Sequence, residues 1–322
     1  MVFLLALSPI LWLIISLGFL KMQSFKACPI ALIISFAVAL AWYHMPGMDA
    51  ATAALEGVAL ACWPILLVII AAIFTYNLTL YTKSMDIVKH MLTTVSKDRR
   101  VLALLIGWGF GAFMEGMAGF GTAIAIPASM LVAMGFDPIK AILVCLVANS
   151  VPTTYGSIGI PASTLANLTG IDPVQLSTYI SLQLLPLNIL CPFIIVAIVG
   201  GSLKALKGVF MLTLLSALGL AVPELIVSSF VGPELAVMGA SIVIMALIVV
   251  YSHFRPINDP EYTMDINPAH VPLRGGLLAC LPFILIFVFL LLTSKLVPFI
   301  HAPLMAIKSS VLIYTGQGGV PY

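Results

Sequence analysis

The sequence predicts an all-α polytopic membrane protein with about eight transmembrane helices, a re-entrant hairpin and a broken helix. Three observations predict it. Hydrophobic residues fill 62% of the 322 positions and charged residues 8%, too few polar groups to coat a soluble globule of this size. Apolar runs of roughly 17 to 23 residues recur, each about long enough to cross a hydrocarbon core of about 30 Å as a helix. The run GLLACLPFILIFVFLLL from Gly276 shows none of the apolar-polar alternation that strands of a membrane barrel require.

The chain reads as a single membrane transport domain over 1–322: N-terminal helices to 100, a substrate region over 101–173, and further transmembrane helices from 174. The basic residues of the first run, Val2 to Leu20, follow it rather than precede it, so it reads as a retained helix and not as a signal peptide. Those residues are Lys21 and Lys26, whereas the loop from His44 to Gly57 carries Asp49 and Glu56 and no Lys or Arg; the first loop is therefore cytoplasmic. A third span, Ile65 to Leu80, leads to the densest basic cluster, Lys83, Lys89, Lys97, Arg99 and Arg100, also inside. Lys140, Lys204 with Lys207, and Arg255 through Arg274 mark further cytoplasmic loops; those around Asp172 and from Glu224 to Glu234 have no basic residue and lie outside. Lys140 can rejoin the cytoplasm only if Val101 to Met134 enters and leaves on one side, as a re-entrant hairpin. Spans then follow over Ile139 to about Leu168, Tyr179 to Val199, Val209 to Ala221, Leu235 to Tyr251 and Leu277 to Leu292. No complete span starts after Pro298, and the end reads as truncated.

Several function classes are excluded. A net charge of +2 gives a nucleic-acid partner no electrostatic footprint. The five cysteines, Cys28, Cys62, Cys145, Cys191 and Cys280, contain no CxxC pair and read as packing residues. No HExxH, Gly-x-Ser-x-Gly or GxxxxGK pattern occurs, so no enzyme is expected, and neither a cofactor nor a metal site is called for. The acids of NDPEYTMD (Asp259, Glu261, Asp265) lack the glycine and spacing of a calcium loop and read as a solvent-facing linker.

Two segments carry the chemistry. GWGFGAFMEGMAGFG, from Gly107 to Gly121, holds six glycines in fifteen residues, which argues against a continuous helix. Some of these glycines also fit a close-packing seam, Gly107 and Gly111 matching the small-xxx-small pattern. Glu115 reads as the only acid embedded in an apolar segment, where a charge costs several kcal/mol. Broken backbone at that depth is tolerated only beside protein or a water-filled cavity, so the break and the acid suggest one site. Thr122 can cap a short helix from Ala123 to Ala133, whose amino end would offer unpaired N–H groups to a carboxylate. The second segment, NSVPTTYGSIGIP, brings Asn149, Ser150, Thr153, Thr154, Tyr155 and Ser157 together with Pro152 and Pro161, which break the helical ladder. Ending the span at Ala148 would leave it about half the length required, so an unwound centre is expected. Asn188, Gln183 and Thr75 with Asn77 read as helix-to-helix glue.

The order and spacing of GWGFGAFMEGMAGFGTAIAIPA, CLVANSVPTTYGSIGIP and TGIDP resemble the L-lactate permease family. The resemblance implies proton-coupled uptake of lactate, and in some members glycolate, across the bacterial cytoplasmic (inner) membrane. It also implies a wider architecture of two inverted repeats, of which this chain shows only the first hairpin and broken helix. On that basis the partners are a small carboxylate, protons and the lipid bilayer. Glu115 is the expected proton carrier. Gly116, Gly119, Gly121 and Thr122, with Asn149, Ser150, Thr153, Thr154 and Tyr155, are the expected substrate contacts. A symporter of another anion such as gluconate, a passive channel, or a non-functional fragment are the competing readings.

Overall fold

The computed structural model describes residues 5–119, 122–257, 259–264, 272–294 and 296–306. Among these the regular elements are all helical, with a single isolated bridge between Asp98 and Thr263. The chain divides into two compact units, Met1–Leu66 and Leu67–Ala306.

In the first unit, α1 (Ser8–Leu13) runs on as a π-helical turn, Ile14–Phe19, and packs on α2 (Ser24–Ala41). The Trp12 indole N–H donates to the Ala27 carbonyl at 3.1 Å across that contact, and α3 (Gly47–Leu60) follows. Phe19, Phe25 and Ile33 face outward, the orientation expected of apolar side chains in lipid.

The second unit contains α4 (Leu66–Tyr81), α5 (Ser84–Thr93), α6 (Arg99–Met117), α7 (Thr122–Ala133), α8 (Pro138–Asn149) and α9 (Gly156–Thr169). It continues through α10 (Pro173–Gly200), α11 (Phe210–Phe230), α12 (Pro233–Phe254), α13 (Leu273–Ala279), α14 (Leu281–Thr293) and α15 (Pro298–Ala306). Among the described residues α2, α6, α10, α11 and α12 are each long and apolar enough to cross a bilayer, and α8 with residues 152–169 makes a pair bent by 55°. The protein is therefore an all-α, multi-pass membrane protein.

Local chemistry explains the boundaries. Asp137 and Asp172 each precede a proline, and each caps the helix that follows. Asp137 Oδ1 accepts from the Lys140 amide at 3.0 Å, and Asp172 Oδ1 from the Val174 and Gln175 amides, both at 3.0 Å. Pro186 and Pro192 lie inside α10 and Pro223 inside α11 without ending them, as membrane helices permit where neighbours cover the freed carbonyls. Pro223 thus misleads a reading from sequence: α11 runs past Ala221 and takes Glu224 with it.

The helix α6 is the centre of the unit. Every residue from Arg100 to Met117 is buried, and α7 folds back along it, packing on both its halves. Contrary to the expectation from six glycines, α6 stays helical to Met117, with a π-helical stretch over Ala103–Phe110, and opens only beyond it. The reason is packing. A methyl group added at Gly107 would lie 2.9 Å from Val144 Cγ1, one at Gly109 2.8 Å from Met245 Cγ, and one at Gly116 2.7 Å from Met238 Cγ. These glycines admit α8 and α12 to close approach, and the packing gained offsets their helix-propensity cost.

The start of α6 is clamped. Asp98 caps it through the Arg100 amide at 2.8 Å, and the Arg100 guanidinium, fully buried, donates to Asp98 Oδ2 at 2.7 Å and Asp259 Oδ2 at 3.2 Å. It also donates to the carbonyls of Ala205 at 2.8 Å and Lys207 at 3.1 Å, and stacks 3.9 Å from the Tyr262 ring centre. The basic cluster is thus only partly a solvated loop, and Asp259, read from sequence as part of a solvent-facing linker, is a ligand of this arginine; Asp265 lies outside the described residues. Replacing Arg100 by Met would leave Asp98 buried and unpaired, a loss of about 3 kcal/mol. A thermal unfolding midpoint in detergent that falls clearly below that of the parent checks it.

Candidate functional site

Two backbone breaks meet at Glu115. The first follows α6, where the chain turns through Gly119 at φ +59°. The second runs from the end of α8 into the start of α9: a 3₁₀ turn over Pro152–Tyr155, then Ser157, Ile158 and Gly159 in succession, inside the first turns of α9, with φ of 48°, 63° and 73°. Three consecutive left-handed residues, one of them β-branched, mark a segment that cannot propagate a right-handed helix. The unwound centre expected from the sequence is therefore present.

The breaks touch. Ser157 Oγ donates to the Ala118 carbonyl at 3.0 Å, which gives an orphaned acceptor at the end of α6 a partner. Gly156 lies flat against the Glu115 carboxyl, where any Cβ would collide with Oε1. Gly159 abuts the first residue of α12, with a built Cβ 2.6 Å from the Pro233 carbonyl carbon and oxygen.

Glu115 is 3% exposed, and its Oε2 has no hydrogen-bond partner. The Asn149 side chain lies beside the carboxyl; its Nδ2 donates to Thr153 Oγ1 at 3.0 Å and its Oδ1 is unpartnered. The carboxyl has the Asn149 amide and Gly156 beside it, and no Lys or Arg forms an ion pair with it among the described residues. Such a setting suits a group that exchanges a proton or meets a mobile ligand better than a fixed structural ion pair.

The other sequence-predicted residues divide. Gly116 and Gly119 are buried at the end of α6 beside Glu115, and Asn149 joins them. Ser150 and Thr153 are exposed; Ser150 Oγ donates to the Val147 carbonyl at 2.7 Å, and Thr154 is half-buried. The Tyr155 hydroxyl is 2.6 Å from the Ser177 carbonyl and 2.7 Å from Ser181 Oγ, so it faces α10 rather than Glu115. Thr122 opens α7, and Gly121 lies outside the described residues.

Sequence reasoning missed a second buried acid. Glu224, on α11, is fully buried, and Asn188 Nδ2 on α10 donates to its Oε1 at 3.2 Å. The available signal was the pair itself: the polar residue Asn188 midway along one apolar span and an acid inside the next.

A multi-helix bundle whose buried acid sits where two backbone breaks meet defines an integral membrane protein with a polar centre. The chain belongs to the L-lactate permease family, whose pattern matches residues 2–322. It is 43% identical over 320 residues to the L-lactate permease of Streptococcus iniae, covering 99% of this chain and 66% of that one. It is 35% identical over 295 residues to the L-lactate permease of Bacillus subtilis (strain 168), covering 87% of this chain and 52% of that protein. A glycolate permease of Escherichia coli (strain K12) is 36% identical over 256 residues, 79% of this chain and 46% of its own length. The chain thus spans about half to two thirds of the length of these relatives. No solved structure matches it.

Gly159→Ala places a Cβ on a left-handed backbone and into the Pro233 carbonyl, and is expected to cost about 2 kcal/mol. The check is a lowered unfolding midpoint together with new cysteine-labelling accessibility at Ser157→Cys, which the parent fold keeps buried.

Proposed function

We propose that this chain forms the substrate region of a proton-coupled carrier that takes L-lactate, or the smaller hydroxy acid glycolate, inward across a bacterial cytoplasmic membrane. The observation that carries the reading is the Glu115 carboxyl: buried, with one oxygen unpartnered, and seated between two broken helices. The names of the relatives support the substrate class.

Glu115 carries the coupling proton. In the acid form it adds no charge to the bilayer interior, and one monocarboxylate can then bind nearby without like-charge repulsion. The backbone around Gly116 and Gly119, with the amino end of α7 at Thr122, offers N–H groups and a positive dipole end to the substrate carboxylate; Gly121 is assigned to the same site from the sequence alone. Asn149, with Ser150, Thr153 and Thr154 beside it, supplies amide and hydroxyl groups for the 2-hydroxyl. Tyr155 braces the turn through α10.

Glu115→Gln keeps the shape and removes the titrating group. It is expected to abolish lactate-dependent proton uptake into vesicles while lactate exchange persists. Unchanged proton movement in the variant would remove Glu115 from the carrier role. Accumulation of lactate against its gradient in the parent separates symport from a passive channel, which can only equilibrate it.

A further inference from the structure

Glu224 plays no part in the reading above, yet it is fully buried inside the bundle. It lies within α11, about 9 Å along the axis from the helix end at Phe230. Its Oε1 accepts from Asn188 Nδ2 at 3.2 Å, but its Oε2 and the Asn188 Oδ1 both lack partners. Two acceptor oxygens facing an apolar interior without a donor are costly, and the pair is short of one hydrogen. A proton on the carboxyl supplies that donor: an acid and a primary amide are mutually complementary, each giving one hydrogen and taking one.

The charged form has nothing to balance it. α10 carries no Asp, Glu, Lys, Arg or His, and its ionisable groups are Tyr179 and Cys191. On α12 the ionisable groups are Glu234 in the first turn and Tyr251 and His253 in the last two turns, and the 103–110 stretch of α6 has none. From the 3₁₀ turn the facing group is Tyr155, which interacts electrostatically with Glu224. No cation pairs with Glu224 among the described residues.

The site is also wired to the break. Ser228, one helical turn beyond Glu224, accepts at Oγ from Ser181 Oγ at 2.9 Å, and its carbonyl accepts from Ser177 Oγ at 2.9 Å. Ser181 and the Ser177 carbonyl in turn hold the Tyr155 hydroxyl. Tyr155 precedes Gly156, the residue that lies against Glu115. The short turn between the two broken helices is therefore bracketed by both buried acids.

We propose that Glu224, held by Asn188, is a second proton-binding site, coupled through Tyr155 to the broken helix that carries the substrate groups. It rests on the proton-coupled carrier reading only for its transport role; the protonation site stands on the geometry. The test is the infrared carbonyl absorption of carboxylic acids, recorded against pH on the intact chain in lipid nanodiscs. The expected result is a titrating acid band that disappears in Glu224→Gln, survives in Glu115→Gln, and shifts its midpoint on adding L-lactate. Gln presents the same donor and acceptor to Asn188 as the acid does, so the variant should fold, and an unchanged unfolding midpoint confirms it. Acid bands that Glu224→Gln leaves unchanged while Glu115→Gln removes them, the absence of any acid band, or a Glu224 band that never titrates overturns the proposal. A titrating Glu224 band indifferent to L-lactate counts against the lactate reading while leaving the proton site in place.

Discussion

A backbone group released at a helix break inside a membrane must find its partner in protein, because lipid offers none. The two breaks in this chain solve that demand for each other. Ser157 reaches from the second to cover the Ala118 carbonyl of the first, and the glycine before it allows the Glu115 carboxyl to come within contact. Much of the surrounding sequence follows from keeping those two segments together. Gly116 lets α12 approach at Met238, Gly159 lets Pro233 close against the unwound stretch, and Gly107 admits α8 along the same helix. The density of glycine near Glu115 serves three close approaches more than it serves flexibility.

The class of fold was legible because apolar length and low charge leave a helical bundle as the only way to satisfy backbone groups in lipid. The second break was legible too, since Pro152 and a span too short to end at Ala148 forced an unwound centre. The first was placed too early: glycine content reports low helix propensity, but inside a bundle α6 gains more from interhelical contact at Gly107, Gly109 and Gly116 than it loses in propensity. Pro223 misled in the opposite way, suggesting an end to a span that neighbours hold together, and so Glu224 was assigned to a loop. Which hydroxyls turn toward Glu115 was not legible at all. Tyr155 and Thr153 are separated by one residue, and only the 3₁₀ geometry sends one to α10 and leaves the other beside Asn149.

Charge in this protein is placed by contrast. At the start of α6, Arg100 is surrounded by two carboxylates, two carbonyls and an aromatic face, and its burial is fully compensated. Glu115 and Glu224, deeper in the same unit, have amide neighbours and one unpartnered oxygen each. The first arrangement fixes three chain segments at one point. The second leaves each acid with unmet bonding capacity in a place where only a proton or a visiting polar group can supply it.

The left-handed run at Ser157 and Ile158 has an energetic meaning of its own. Each non-glycine residue in that conformation costs about 1 to 2 kcal/mol, so the two together hold about 3 kcal/mol against the relaxed backbone. That strain persists because the surroundings over-determine the segment: the Ser157 bond to the Ala118 carbonyl and the closure of Pro233 on Gly159 hold it in place.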